Sequence, residues 1–96
     1  MNYIVAPKAR ADLLDIWGYS AENWGEAQAN RYIAEIYDAI AAAISGQRPV
    51  RSRAAVRHGY VEARSGTHIV FLKRDAADWL VVRILHQRMD LQRHLP

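Results

Sequence analysis

The feature that most constrains the fold is a change of hydrophobic period near the middle of the chain. In the first half, apolar residues recur every three or four positions, as they do along one face of a helix. In the second half, short runs rich in β-branched and aromatic residues replace that pattern, which is typical of strands. Two helical segments followed by a series of strands predict an α+β domain.

The first half predicts one short strand and two helices. The strand covers residues 2–6, and Pro7 then supplies the fixed φ that suits the first turn of a helix. Gly25 ends this helix, and Ser45-Gly46 followed by Pro49 ends the next one. The short gap between the helices predicts an antiparallel hairpin. Its core-facing positions are Ala9, Leu13, Ile16, Trp17 and Trp24 in the first helix and Ala29, Ile33, Ile36, Ile40 and Ala43 in the second.

The second half predicts three strands, at residues 56–63, 67–73 and 79–86. Gly59 weakens the first of them, Ser65-Gly66 is a turn signal, and residues 75–78 supply a hairpin loop. The predicted order is β-α-α-β-β-β, with the helical hairpin on one face of a mainly antiparallel sheet. We expect residues 1–96 to form a single domain of this kind.

The last predicted strand is apolar on both sides. Simple alternation places Leu80, Val82 and Ile84 on one face and Trp79, Val81, Arg83 and Leu85 on the other. The helical hairpin can cover only one face of the sheet. The second face is then either closed by the C-terminal tail or exposed as an apolar strip for a protein partner. The sequence leaves both interpretations open.

Composition excludes several classes of protein. The chain has no cysteine, which excludes disulfide scaffolds and cysteine zinc sites. The longest apolar run, Ala39 to Ile44, is far too short to cross a bilayer. We expect no secretory signal, because the first residues do not have a basic region followed by an apolar one. The four histidines are scattered without metal-binding spacing, so we expect no metal and no cofactor. A cytoplasmic location without membrane association is expected.

Charge is distributed unevenly along the chain. Residues 1–47 carry three bases and six acids, whereas residues 48–96 carry ten bases and four acids. Nine of those ten bases are arginine, and four of them fall within ten residues: Arg48, Arg51, Arg53 and Arg57. This cluster is either a solvated loop or a recognition surface for an anionic partner, either nucleic acid or an acidic protein.

One enzymatic interpretation can be built from the residues. RNA cleavage needs a general base, a general acid and cations for the developing phosphorane charge. His86 and Glu62 could serve as acid and base, with Arg64 and Arg83 as cations, if neighbouring strands bring them together. A local structural role for His86 is the alternative.

Several motifs resemble those of ParE toxins, which belong to the RelE/ParE superfamily of bacterial type II toxin–antitoxin systems. In the first half they are A-R-A-D-L-L-D-I-W-G-Y at 9–19, W-G at 24–25 and Q-A-N-R-Y at 28–32. In the second half they are G-T-H-I-V-F at 66–71, V-R-I-L-H-Q-R-M-D at 82–90 and H-L at 94–95. The resemblance spans nearly the whole chain.

The resemblance implies the β-α-α-β-β-β fold, and it also implies a function. ParE toxins act on DNA gyrase by protein–protein contact and are neutralised by a ParD-type antitoxin, with which they form a hetero-oligomer. No direct specific binding to nucleic acid is expected. The residues expected to contact gyrase are Arg83, His86, Arg88, Asp90 and His94. The residues expected to contact the antitoxin are Trp17, Tyr37, Arg48, Arg51, Arg53, Arg57, Trp79, Val81 and Leu85.

The ribonuclease branch of the same superfamily implies a competing function. Its members cut mRNA with basic residues and a histidine, tyrosine or glutamate on the concave face of the sheet. This chain has arginines and His86 in that region, but it lacks a tyrosine near the C-terminus and a lysine before the second strand. A decayed toxin without a target is a third possibility.

Overall fold

The computed structural model describes residues 3–47, 51–52, 59–76 and 78–95. These residues form two long helices, five strands and a short C-terminal helix. In chain order the elements are β1 (Tyr3–Val5), α1 (Pro7–Trp24), α2 (Glu26–Ser45), β2 (Arg51–Ser52), β3 (Tyr60–Ser65), β4 (His68–Asp75), β5 (Asp78–His86) and α3 (Leu91–His94).

The two long helices form the predicted hairpin. Pro7 is the first residue of α1, and the single residue Gly25 joins α1 to α2. At the end of α2, the Gly46 N–H donates to the carbonyls of Ala42 and Ala43, which satisfies two terminal acceptors. Both predicted helix ends are therefore confirmed.

The five strands form one mixed sheet in the order β1-β5-β4-β3-β2. β1 is parallel to β5, and the other neighbouring strands are antiparallel. The helices α1 and α2 cover one face of this sheet. The structure confirms the α+β prediction and adds two short elements, β2 and α3, to the predicted order.

A β-bulge in β5 shifts its register against β4. Leu72 pairs with Val81, whereas the preceding residue of β4, Phe71, pairs with Arg83, so Val82 is an extra residue of β5. Because side chains alternate along a strand, one extra residue moves the later side chains to the opposite face.

The bulge makes the predicted division of β5 into two alternating sets wrong. Trp79, Val81 and Ile84 lie on the helix side, and Leu80, Val82 and Leu85 lie on the other side. Both faces of β5 are buried, but by different parts of the chain.

The first core lies between the helices and the sheet. Its helix residues come from the predicted core-facing positions, and its other residues are the inward positions of three strands. Its buried members are Ala9, Leu13, Ile16, Ile36, Ile40, Ala63, Val70, Leu72, Val81 and Ile84. The prediction of a core-facing position is wrong for Trp24, which is 65% exposed. Trp17, predicted as a core residue, is only partly buried, and its Nε1–H donates to Asn30 Oδ1 at 2.8 Å.

The second core lies on the opposite face of the sheet, where the C-terminal tail covers it. Leu95, which follows α3, is 4% exposed and packs with Phe71, Val82 and Leu85. Leu85 itself is 1% exposed. Leu95 of the tail therefore belongs to this core, in agreement with the interpretation in which the tail covers this face, and the interpretation as an exposed apolar strip is wrong.

Two predicted strands have different bounds in the structure, and the start of one of them lies outside the described residues. The strand predicted at residues 56–63 is observed as Tyr60–Ser65, and residues 53–58 lie outside the described ranges. The strand predicted at 67–73 is observed as His68–Asp75. Among the described helices, none has the length and apolar character required to cross a bilayer.

Candidate functional site

An open cleft of about 640 Å³ lies where α1 and α2 meet the ends of β4 and β5. We call it the aromatic cleft. Tyr19, Trp24 and Met89 line it and are 63%, 65% and 44% exposed. The rings of Tyr19 and Trp24 lie edge to face with centroids 5.8 Å apart. The other lining residues are Asp15, Ile16, Ser20, Tyr32, Gly66, Thr67, His68 and His86.

The floor of the cleft is organised by the hydroxyl of Tyr32 on α2. This hydroxyl donates to the Ser65 carbonyl at 3.2 Å and accepts from the Thr67 N–H at 3.2 Å. It also lies 2.6 Å from Nδ1 of His68. Between Ser65 and Thr67, Gly66 has a φ of 58°, and a Cβ there would lie 2.7 Å from the Tyr32 oxygen. Glycine suits this turn, because a side chain would strain the left-handed backbone and would lie too close to the Tyr32 ring.

Two histidines face each other across β4 and β5 at the edge of the cleft. His68 pairs with His86 in the sheet register, and their rings lie edge to face with centroids 5.4 Å apart. Burial and the neighbouring His86 lower the pKa of His68, so His68 is neutral near pH 7. The Arg88 N–H donates to Nδ1 of His86 at 3.1 Å, which leaves Nε2 to carry the proton of the neutral ring.

Arg83 lies three residues before His86 and has a different environment. Its Nε and Nη2 donate to the two carboxylate oxygens of Asp12 on α1, each at 2.8 Å. Its Nη1 donates to the His94 carbonyl at 2.9 Å. Oδ2 of Asp12 also accepts from the Ile84 N–H at 2.9 Å. The side chains of Arg83 and Asp12 are 15% and 12% exposed, and this contact raises the pKa of Arg83. We call this arrangement the Asp12–Arg83 clasp.

The structure brings the residues predicted to contact the target into one region. His86 and Arg88 are joined by a hydrogen bond, and Arg83 contacts the backbone of His94. Arg88 and Asp90 are exposed. The guanidinium of Arg83, however, is directed at Asp12 and His94 rather than outward. Its role as a direct contact is therefore not supported by the geometry.

The residues predicted to contact the antitoxin do not form one surface. Tyr37 on α2 is 40% exposed. Burial and the neighbouring Tyr37 raise the pKa of Tyr3. Tyr3 in turn pairs with Trp79 at the start of β5. This end of β5 is opposite to the aromatic cleft. Trp17 lies in the middle of α1 and is partly buried.

Other members of that predicted set are enclosed or lie outside the description. Val81 is buried beneath the helices, and Leu85 is buried beneath the tail. The prediction of a shared exposed face for these two residues fails because the bulge separates them. Arg51 is described only as part of β2, and Arg48, Arg53 and Arg57 lie outside the described residues.

The catalytic set considered from the sequence does not assemble. Glu62 pairs with Phe71 in the sheet, whereas His86 pairs with His68, which precedes Phe71 by three positions in β4. That separation is about 10 Å along the strands. Glu62 is 3% exposed, with Arg64 Nε at 3.8 Å from its carboxylate. Among the described residues, no group of three or more potential ligands could hold a metal ion.

Several residues of the site were missed by the sequence reasoning. Tyr32 and Asp12 were visible only as parts of motifs. His68 was missed because a hairpin without a bulge places Thr67, rather than His68, opposite His86. The exposed rings of Tyr19 and Trp24 lie at positions whose period suits a helix face, so periodicity alone does not separate them from core residues.

Comparison with known proteins identifies the family to which this architecture belongs. Residues 3–91 match the family described as the ParE toxin of the type II toxin–antitoxin system parDE. The chain belongs to the ParE toxin family. It is therefore a ParE-type toxin of a type II toxin–antitoxin system, as its sequence motifs implied.

Relatives of known name support the assignment. The chain is 37% identical over 95 residues to Toxin ParE1 of Mycobacterium tuberculosis, covering 98% of this chain and 97% of the relative. It is 40% identical over 94 residues to Toxin ParE of Escherichia coli, covering 97% of this chain and 91% of the relative. A solved structure described as "Chromosomal ParDE TA system from P. aeruginosa" has the same fold, with a TM-score of 0.74 and 18% identity over 90% of this chain and 95% of that one.

Proposed function

We propose that this ParE-type toxin acts in the cytoplasm by inhibiting DNA gyrase through protein–protein contact, without catalysis. A ParD-type antitoxin neutralises it by forming a hetero-oligomeric complex. The aromatic cleft receives an amphipathic segment of the antitoxin. The surface around His86, Arg88, Asp90 and His94 contacts gyrase.

The aromatic cleft is the observation that carries this proposal. Tyr19 and Trp24 are more than half exposed and lie side by side, next to Met89, around a concave surface. Contiguous large apolar side chains on a monomer are typical of a protein-binding site. Aromatic and methionine side chains in a groove suit the apolar face of an amphipathic helix. We take the partner to be the antitoxin, because the toxins of this family belong to toxin–antitoxin systems.

Measurement of gyrase supercoiling tests the target. Purified toxin is expected to reduce supercoiling of a relaxed plasmid or to add cleaved DNA, and pre-mixing with antitoxin is expected to restore activity. Variants Arg88→Ala and His86→Ala should weaken this inhibition. Unchanged supercoiling and no added cleavage at saturating toxin would overturn gyrase as the target.

Calorimetric titration with the antitoxin tests the docking site. We expect Trp24→Ser to weaken binding by about 2 kcal/mol or more, because large aromatic side chains dominate such interfaces. Tyr37→Ser is the matched variant, since it removes an exposed aromatic ring at the opposite end of the sheet. A larger loss from Tyr37→Ser than from Trp24→Ser would place the antitoxin at the other end.

One observation favours a second candidate function, RNA cleavage. His68 and His86 lie together, and the lowered pKa of His68 suits a general base beside a second histidine that acts as the acid. Within the described part of the chain, however, no arginine or lysine lines the cleft to stabilise a phosphorane. Primer extension on mRNA from induced cells should reveal new 5′ ends if this function is real, and His68→Ala or His86→Ala should remove them.

A further inference from the structure

Two of the contacts that hold the C-terminal segment after β5 against the sheet lie near the end of the segment. The first is the hydrogen bond from Arg83 Nη1 to the His94 carbonyl. The second is the burial of Leu95 in the second core. Between β5 and these points lie Arg88 and Asp90, both exposed. Backbone hydrogen bonds from the Gln87 N–H to the Thr67 carbonyl and from the Met89 N–H to the His86 carbonyl hold residues 87–89 at the end of β5. It is therefore the placement of residues 90–95 that depends on whether the end of the segment is docked.

Asp12 determines where Arg83 points. A guanidinium is a planar fork, and two parallel bonds to one carboxylate fix its plane and its direction. With Nε and Nη2 held by Asp12, Nη1 is left facing the His94 carbonyl. Asp12 is itself held by the Ile84 N–H of the neighbouring strand. One carboxylate on α1 thus connects the first helix, the last strand and the tail.

Arg83 has little capacity for a second partner. Three of its nitrogens already donate to Asp12 and His94, and its side chain is mostly enclosed. A carboxylate from another protein would have to displace Asp12 and leave that carboxylate without its charge partner, which is costly in a partly buried site. The chemistry of Arg83 is therefore directed inward.

We propose that Asp12 and Arg83 are positioning residues, which hold the C-terminal segment in its target-binding conformation without touching the target. This inference rests on the proposed function, in which that segment contacts gyrase. When only a fraction of molecules has the competent conformation, apparent affinity falls by that fraction. Loss of the clasp therefore weakens inhibition, while the part of the aromatic cleft that α1, α2 and the strand ends form stays intact.

The test compares Asp12→Asn with Asp38→Asn in the full-length toxin. Asp12→Asn keeps the shape of the side chain but removes its charge, and Asp38 is an exposed carboxylate on α2. Hydrogen exchange at the backbone amides of residues 91–95, gyrase inhibition, growth arrest on induction and antitoxin affinity are measured for each. Leu95→Ala is included because it weakens the docking of the tail while leaving the ion pair between Asp12 and Arg83 in place.

For Asp12→Asn we expect tail amides to exchange about tenfold faster or more, while α2 amides keep their protection. The concentration for half-inhibition of gyrase should rise by about tenfold, with antitoxin affinity changed less than about twofold. Leu95→Ala should reproduce this pattern, and Asp38→Asn should match the wild type. Arg83→Lys, which retains charge but not the fork, should give an intermediate effect.

Two results would overturn the inference. Weakened inhibition with fully protected tail amides would mean that Asp12 or Arg83 contacts the target directly. Fast tail exchange with unchanged inhibition and unchanged growth arrest would mean that the docked conformation is not needed. Failure of the proposed target is distinguishable, because the wild type would then arrest growth without inhibiting gyrase, and the Asp12→Asn comparison would be read from growth arrest.

Discussion

Arg83 and His86 are basic residues three positions apart on β5, yet their surroundings differ in kind. The Arg83 guanidinium donates to Asp12 and to the tail, and both side chains of the clasp are mostly enclosed. His86 lies at the mouth of an open cleft beside Tyr19 and Trp24, which remain largely exposed. Both are basic residues on the last strand. Arg83 nevertheless has a structural role in the clasp, whereas His86 lies on a surface that is open to partners.

The largest expected effect on stability is in the clasp. Arg83→Met removes three hydrogen bonds and leaves Asp12 without its charge partner in a mostly enclosed position. We expect the free energy of unfolding to fall by about 3 kcal/mol, measured by urea denaturation. Arg93→Met is the control, because Arg93 is exposed and its loss should change stability by less than about 0.5 kcal/mol. Equal losses for the two variants would remove the distinction between clasp and surface.

A smaller loss of stability is expected at Tyr32, which organises the floor of the aromatic cleft. Tyr32→Phe deletes the hydroxyl that contacts Ser65, Thr67 and His68. Because the Ser65 carbonyl and the His68 ring, which are partly buried here, then lose a partner, the free energy of unfolding should fall by about 1–2 kcal/mol. Tyr19→Phe provides the comparison, since that hydroxyl is on an exposed ring. If both variants were as stable as the wild type, the Tyr32 network would contribute nothing to the fold.

Low pH is expected to destabilise the protein at the same floor of the cleft. The decrease in the free energy of unfolding should be smaller than that caused by Tyr32→Phe. The pKa of His68 is lowered in the folded protein, so the unfolded chain, with a pKa near 6.5, binds the proton more tightly. The contribution of His68 to stability is complete above about pH 6.5 and is lost as pH falls towards the folded pKa. Urea denaturation as a function of pH should show a shallower decline for His68→Gln than for the wild type. A steeper decline in the variant would reverse the assigned direction.

The smallest effect on stability is expected at the rim of the cleft. Trp24 is the last residue of α1 and is largely exposed, so Trp24→Ser should change the free energy of unfolding by less than about 0.5 kcal/mol. A stability loss above about 1 kcal/mol would show that Trp24 belongs to the core rather than to a binding surface.

The helices and the number of main strands could be predicted because they depend on local chemistry. Pro7, Gly25 and Gly46 mark helix boundaries by their backbone preferences, and the core positions follow the helical period. The burial of the second face was one of two interpretations that the sequence left open, because the contact of Leu95 with the sheet depends on the path of the tail.

The candidate site could be predicted only in part, because it depends on long-range register. The bulge at Val82 changes both the faces of β5 and the partner of His86, and the hydrophobic pattern gives no sign of it, since both faces are apolar. Likewise, the contact between Asp12 and Arg83 joins positions 71 residues apart. Sequence motifs contained both residues but did not show that they meet.

The position of Asp12 has a consequence for how the toxin avoids self-association. β1 pairs with β5 from Trp79 to Val81, and beyond that point no other strand of the described ranges pairs with the outer backbone edge of this very apolar strand. Asp12 accepts from the Ile84 N–H there and places a carboxylate at the edge. A charged side chain bonded to an edge amide opposes the addition of another strand, which is a common route to aggregation. A helix side chain thus protects a strand edge that would otherwise be prone to aggregation.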